Sequence, residues 1–154
     1  MHGDLRWENV LVAGGRGTTP RVWLVDWEMG GAGEHAWDTG CFAAAAVSAC
    51  LRSAPDVPGV PLGRLVAEAG IPMTALEPGL DLFWSAYRAA HRDGAGDAWA
   101  GRCAQLAAVR LVHIAVELTE LDLGVGPSAV LHLQVAENIL GDPARAAREL
   151  LRLA

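Results

Sequence analysis

His2-Gly3-Asp4-Leu5-Arg6-Trp7-Glu8-Asn9 leads directly into Val10-Leu11-Val12-Ala13, and Arg21-Val22-Trp23-Leu24-Val25 leads directly into Asp26-Trp27-Glu28. The two apolar segments have the length and β-branched content of short strands. Between them, Gly14-Gly15-Arg16-Gly17-Thr18-Thr19-Pro20 is turn chemistry, so the pair reads as an antiparallel hairpin. These glycines do not read as a phosphate-cradling loop, because such a loop should open a helix and this one opens a strand. A hairpin brings the polar stretch before its first strand next to the polar stretch after its second.

Beyond the hairpin the chain reads as helix. Met29-Gly30-Gly31-Ala32-Gly33-Glu34-His35 is a flexible Gly-rich link. Trp37–Leu51 is apolar on nearly every side and should be a buried central helix. A Pro-rich connector over Ser53–Pro61 leads to a short helix at Leu62–Ala69, ended by Gly70 and Pro72. Pro78–His91 is amphipathic, with Leu82, Phe83, Ala86, Tyr87 and Ala90 at core spacing. Gly96–Leu123 is a long helix or a kinked pair, and Ser128–Leu140 and Pro143–Leu153 complete the set. The expected fold class is α+β, mainly α: a short hairpin that must lean on five or six helices, since two strands are marginal alone.

The length of 154 residues suits one domain, and 52% hydrophobic residues supply its core. With 19% charged residues this is not a disordered chain. No apolar run reaches the length of a membrane span, and no basic-then-apolar leader opens the sequence, so a cytoplasmic protein is expected. The net charge of −6 gives no general attraction for nucleic acid or an anionic membrane. All twelve basic residues are Arg. A mechanism that needs a lysine from this chain is therefore excluded, whether a Schiff base or a phosphate-gripping side chain. Cys41, Cys50 and Cys103 are widely spaced, with no CxxC, and read as buried free thiols.

The chemistry lies at the polar end of the hairpin. Asp4, Asn9 and Asp26 are three oxygen-bearing side chains that the loop and the strand end can bring together. A carboxylate and an amide carbonyl suit Mg²⁺ when phosphates supply further ligands. A second carboxylate nearby can orient a hydroxyl and accept its proton. Those are the parts of phosphoryl transfer, whose catalysis is mainly positioning and charge neutralisation. Each residue also has a plain structural reading. Asp4 and Asn9 can satisfy local backbone groups, Asp26 can cap a strand end, and Arg6 can be a solvated or ion-paired side chain. Glu28 can face metal or merely solvent, and a metal-dependent hydrolase could use the same carboxylates, although the His-rich spacing common in such sites is absent. Trp7, Trp23, Trp27 and Trp37 read as core and cleft walls.

His2-Gly3-Asp4-Leu5 with Asn9, then Asp26-Trp27-Glu28, then Trp37-Asp38 opening an apolar helix, resembles the catalytic region of the aminoglycoside phosphotransferase and choline kinase family, relatives of protein kinases. The resemblance implies a kinase-like C-terminal lobe over residues 1–154, with catalytic loop and hairpin in 1–35 and a helical subdomain in 36–154. It implies that Asp4 is the catalytic base, that Asn9 and Asp26 hold magnesium with ATP or GTP, and that Arg6 faces the γ-phosphate. His2 would hold the catalytic loop, and Asp38 would cap the central helix and brace that loop. The acceptor would be a small hydroxylated molecule; family acceptors run from aminoglycosides and other antibiotics to choline, sugars and peptides.

Arg110, His113, Glu117 and Glu120 form a polar stripe on one helix face. It reads either as a solvated face or, by the resemblance, as an acidic acceptor wall at Glu117 and Glu120 that would favour a cationic acceptor. The family's β-rich nucleotide-binding lobe, with its phosphate lysine, has no counterpart in this sequence. The expectation is therefore a fragment, one chain of a split enzyme, or a truncated remnant, feeble alone and exposing an apolar face. The competing class is a non-catalytic, pseudokinase-like module that docks a partner chain or self-associates.

Overall fold

The computed structural model describes residues 1–15, 17–91, 96–121 and 124–153. Arg16 in the expected turn, Leu123 at the expected end of the long helix and Ala154 lie outside the described residues. The fold is α+β and mainly helical. Strands β1 (Val10–Ala13) and β2 (Arg21–Leu24) form a two-stranded antiparallel hairpin with Val10 opposite Leu24 and Ala13 opposite Arg21. Among the described residues six helices follow: α1 (His35–Arg52), α2 (Leu62–Ala67), α3 (Met73–Ala90), α4 (Asp97–Leu121), α5 (Pro127–Gly141) and α6 (Pro143–Glu149). None is long and apolar enough to cross a membrane.

The core is where α1, α4 and α5 meet, with α6 closing one side. Ala36, Gly40, Ala43, Ala44, Val47 and Leu51 recur at helical spacing along α1, and Ala100, Cys103, Ala104, Ala107, Ala108 and Leu111 recur along α4. Both stripes are fully buried and made mostly of small residues, so the two backbones come close. At Gly40 the approach is tightest: a Cβ there would lie 2.8 Å from the Cys103 carbonyl oxygen and 2.9 Å from the Ala107 nitrogen. Leu65, Leu80, Leu111, Ile139, Leu151 and Leu153 fill the larger spaces, each contributing about 1.5–3 kcal/mol of burial. All three cysteines are buried and free.

Three expectations about the helices need correction. Helix α3 begins at Met73, after Pro72, and carries Pro78 within it. Proline lacks an N–H and usually ends or kinks a helix, which is why the sequence alone points to a start at Pro78. The buried face of α3 is Leu80, Phe83, Trp84 and Tyr87, while Leu82 is 73% exposed and Ala86 and Ala90 are also exposed. Both sets fit a 3.6-residue period, and Trp84 has the larger surface to bury. Lastly, α6 ends at Glu149. Leu151 and Leu153 must both be buried, which a helix cannot do at a spacing of two, so Arg152 turns through φ 56° between them. Its guanidinium then forks onto Asp81 of α3 at 3.0 and 3.2 Å.

The hairpin stands out from this body. Leu11, Val12, Val22, Trp23, Leu24, Trp27 and Met29 are all at least 40% exposed, so Trp23 and Trp27 are surface residues and not core.

Candidate active site

The loop before β1 is tied to the helical body at its first residues. Asp38, in the first turn of α1, accepts the His2 backbone N–H at 2.6 Å on one oxygen and the Gly3 N–H at 2.8 Å on the other. Asp38 therefore braces the loop but does not cap the helix: the N-cap position is Glu34, whose side chain makes no capping bond. A carboxylate used on two loop amides is not available to its own helix. The Trp37 indole donates to the Gly3 carbonyl at 2.7 Å. Gly3 has φ 89°, and a Cβ there would run into the Met29 carbonyl oxygen, so only glycine fits.

His2 is 3% exposed and joins the two sides of the hairpin base. Its Nε2 lies 2.8 Å from the Val25 carbonyl oxygen, which can only accept, so Nε2 carries the proton. Nδ1 is then the acceptor for the Asp4 backbone N–H at 3.4 Å. Both ring nitrogens are thereby used up as a strut.

Asp4 and Asn9 are in direct contact. Asn9 Nδ2 donates to the Asp4 carbonyl at 2.9 Å and to Asp4 Oδ2 at 3.3 Å. With its nitrogen committed, Asn9 presents Oδ1 as its free donor atom to a cation. The Val25 N–H donates to the Asn9 carbonyl at 3.0 Å, which puts Asn9 beside the end of β2, one residue from Asp26. Asp26 adopts left-handed φ 66° and ψ 58°, and its exposed carboxylate makes no capping bond. Left-handed backbone is uncommon away from glycine and concentrates at sites where a side chain must be aimed. Among the described residues no three His, Cys, Asp or Glu side chains form a metal cage. Mg²⁺ held beside phosphates takes fewer protein ligands, and Asn9 Oδ1 and the Asp26 carboxylate are the oxygens at this end of the hairpin that could serve it.

The Asp4 carboxylate is flanked by cations. Arg6 Nε is 3.1 Å from Oδ2, and Arg110 Nη2 of α4 is 3.9 Å from Oδ1. Arg110 is only 7% exposed, and its other nitrogen donates to Glu117 at 2.7 Å. Arg6, Arg110 and Glu117 share a cleft of about 320 Å³, within the range of small-molecule sites. Trp7 and Glu8 from the loop, Ile114 from α4 and Arg52 at the end of α1 also line it. Glu120 is exposed and is not part of this wall, so the expected pair of acidic residues reduces to Glu117, already matched by Arg110. Cys41 also faces the cleft, but burial pushes its thiol up to about 12, so it carries no thiolate near neutral pH.

Arg52 carries no site signal in the sequence, and Arg110 stands out there only as one end of the polar stripe with His113, Glu117 and Glu120. For Arg110 a signal existed: it falls between Ala107 and Ile114 in the apolar register of α4, where a charge needs a buried partner. A further buried polar pair lies behind the cleft. Ser48 Oγ donates to His132 Nε2 at 2.9 Å, because His132 Nδ1 donates to the Ser128 carbonyl at 2.7 Å. Neither family models, nor the curated proteins, nor the solved structures give a match to this chain.

Proposed function

We propose that the chain is the catalytic, kinase-like helical lobe of a magnesium-dependent phosphotransferase that moves the γ-phosphate of ATP or GTP onto the hydroxyl of a small acceptor. The observation that carries this reading is the Asp4–Asn9 contact at 2.9 and 3.3 Å, set at the same end of the hairpin as Asp26. In the reaction the acceptor oxygen forms a bond to the γ-phosphorus. The bond from that phosphorus to the β–γ bridging oxygen breaks, and the nucleoside diphosphate leaves. Asp4 orients the hydroxyl and takes its proton. Asn9 Oδ1 and the Asp26 carboxylate would hold magnesium, which supplies charge neutralisation on the phosphates when bound. Arg6 adds positive charge beside Asp4, and Asp38 and His2 keep the loop in place as positioning residues. On this reading the exposed apolar hairpin is the face against which a nucleotide-binding lobe packs.

The test is nucleotide-dependent transfer by the full-length natural protein with Asp4→Asn. General-base loss is expected to lower kcat about 10²–10⁴-fold with the melting temperature retained. Unchanged transfer would remove Asp4 from the chemistry. The exposed hairpin favours a second reading, a non-catalytic module that docks a partner. That reading predicts no rise in melting temperature with magnesium and ATP, and association that increases with concentration.

A further inference from the structure

The cleft beside Asp4 has more donors than acceptors. Cys41, Ala45, Ser48, Ala49 and Arg52 line it at helical spacing, so the groove follows α1 for about 16 Å from the Asp4 end to Arg52. Two of the carboxylates at the groove are already matched: Asp4, which sits beside the lining, by Arg6 at 3.1 Å, and the half-exposed Glu117 by Arg110 at 2.7 Å. What remains unmatched is mainly N–H. The Trp7 indole nitrogen and Arg6 Nε are buried without a hydrogen-bond partner, the latter meeting Asp4 only as a charge contact. Arg52 makes no ion pair or side-chain hydrogen bond among the described residues. Its charge is nevertheless close enough to the interior to depress the proton affinity of His132, after the larger effect of burial. Against these donors stands one free carboxylate, the exposed Glu8. Three of twelve arginines thus converge on one groove of a protein whose net charge is −6.

Resting on the phosphotransferase reading of the Asp4 loop, we infer that the acceptor carries an anionic group, a carboxylate or similar oxyanion, and that Arg52 receives it while the acceptor hydroxyl lies at Asp4. A cationic acceptor reaching along the groove would meet the unpaired Arg52 at its far end, since Arg6 and Arg110 are held by Asp4 and Glu117 and the free carboxylate, Glu8, lies on the opposing loop. An oxyanion instead supplies the acceptors that Arg52 and the idle wall donors lack, and guanidinium–carboxylate bonds are among the stronger ones. The groove's direction makes Arg52 the determinant of acceptor length as well as charge.

The experiment is calorimetric binding of ω-hydroxycarboxylates of graded chain length, and of ω-amino alcohols of the same lengths, to the full-length natural protein without nucleotide. Hydroxycarboxylates should bind and amino alcohols should not. Arg52→Gln should weaken the hydroxycarboxylate roughly tenfold or more, and Arg52→Glu should reverse the preference. Because Arg52 is exposed and unpaired, both variants should melt as the parent does. Preference for amino alcohols, no binding of any hydroxycarboxylate, or an unchanged affinity in Arg52→Gln would overturn the inference. Transfer to the same compounds, followed separately with ATP and magnesium, tells the two ideas apart. Binding that depends on Arg52 without transfer would sink the phosphotransferase reading and leave the anion site standing. Transfer confined to amino alcohols would do the reverse.

Discussion

Substituting Gly40 by alanine tests the helix contact on which the site is built. In an isolated helix, Gly→Ala gains about 1 kcal/mol of propensity. At Gly40 the new Cβ would sit 2.8 Å from the Cys103 carbonyl oxygen, 2.9 Å from the Ala107 nitrogen and 3.1 Å from the Leu106 carbonyl carbon. All three are backbone atoms of α4, so no side-chain rotation relieves the clash and the helices must separate. Overpacking of this kind costs about 1–3 kcal/mol, and here it also opens the small-residue contacts along both helices. The expected net loss is about 1–2 kcal/mol, or roughly 2–8 °C in melting temperature for a chain of this size. Gly79 in α3 is the internal control, because a Cβ there meets nothing within 4 Å. Gly79→Ala should stabilise by about 0.5–1 kcal/mol through propensity and chain entropy. Urea unfolding followed by circular dichroism measures both. If Gly40→Ala proved as stable as Gly79→Ala, the close α1–α4 approach would be refuted, and with it the position of Arg110 against Asp4.

Two further outcomes follow from the bracing and the buried histidine. Asp38→Asn keeps one oxygen for one loop N–H but turns an amide NH2 toward the other, so about 1–3 kcal/mol of stability should be lost; a loss below about 0.5 kcal/mol by denaturant titration would mean the loop is held elsewhere. His132 is kept neutral chiefly by burial, so its proton affinity is lowered from 6.5 on folding. The unfolded chain therefore binds the proton more readily, and this contribution to stability is present above about pH 6.5 and lost as pH falls below it. Melting temperature should decline with acidification across that window, and His132→Gln should flatten the slope; an unchanged slope would remove His132 as the cause.

The local chemistry of the chain was enough to locate the hairpin, the small-residue helix α1 and the joining of Asp4 to Asn9. Each rests on neighbours in sequence: turn glycines between β-branched runs, a continuous apolar stretch, and a loop closed within five residues. The site was only partly legible. Asp4 and Asn9 announce themselves by spacing, whereas Arg110 lies 106 residues from Asp4 and meets it only because α4 crosses α1. The same distance hid the neutralisation of Glu117, which alone looks like half of an acidic wall.

What the sequence by itself determined was therefore the order and type of the elements and the polar end of the hairpin, since periodicity and turn residues act over one or two turns of chain. Tertiary structure alone decided which face of α3 is buried, where α3 and α6 stop or start, and that Asp38 serves the loop and not the cap of its own helix. It also decided the charge of the cleft. These depend on the free energy of burying one particular surface or charge against another, and Leu82 or Trp84, Glu117 or Glu120, are equivalent until the opposing helix is in place.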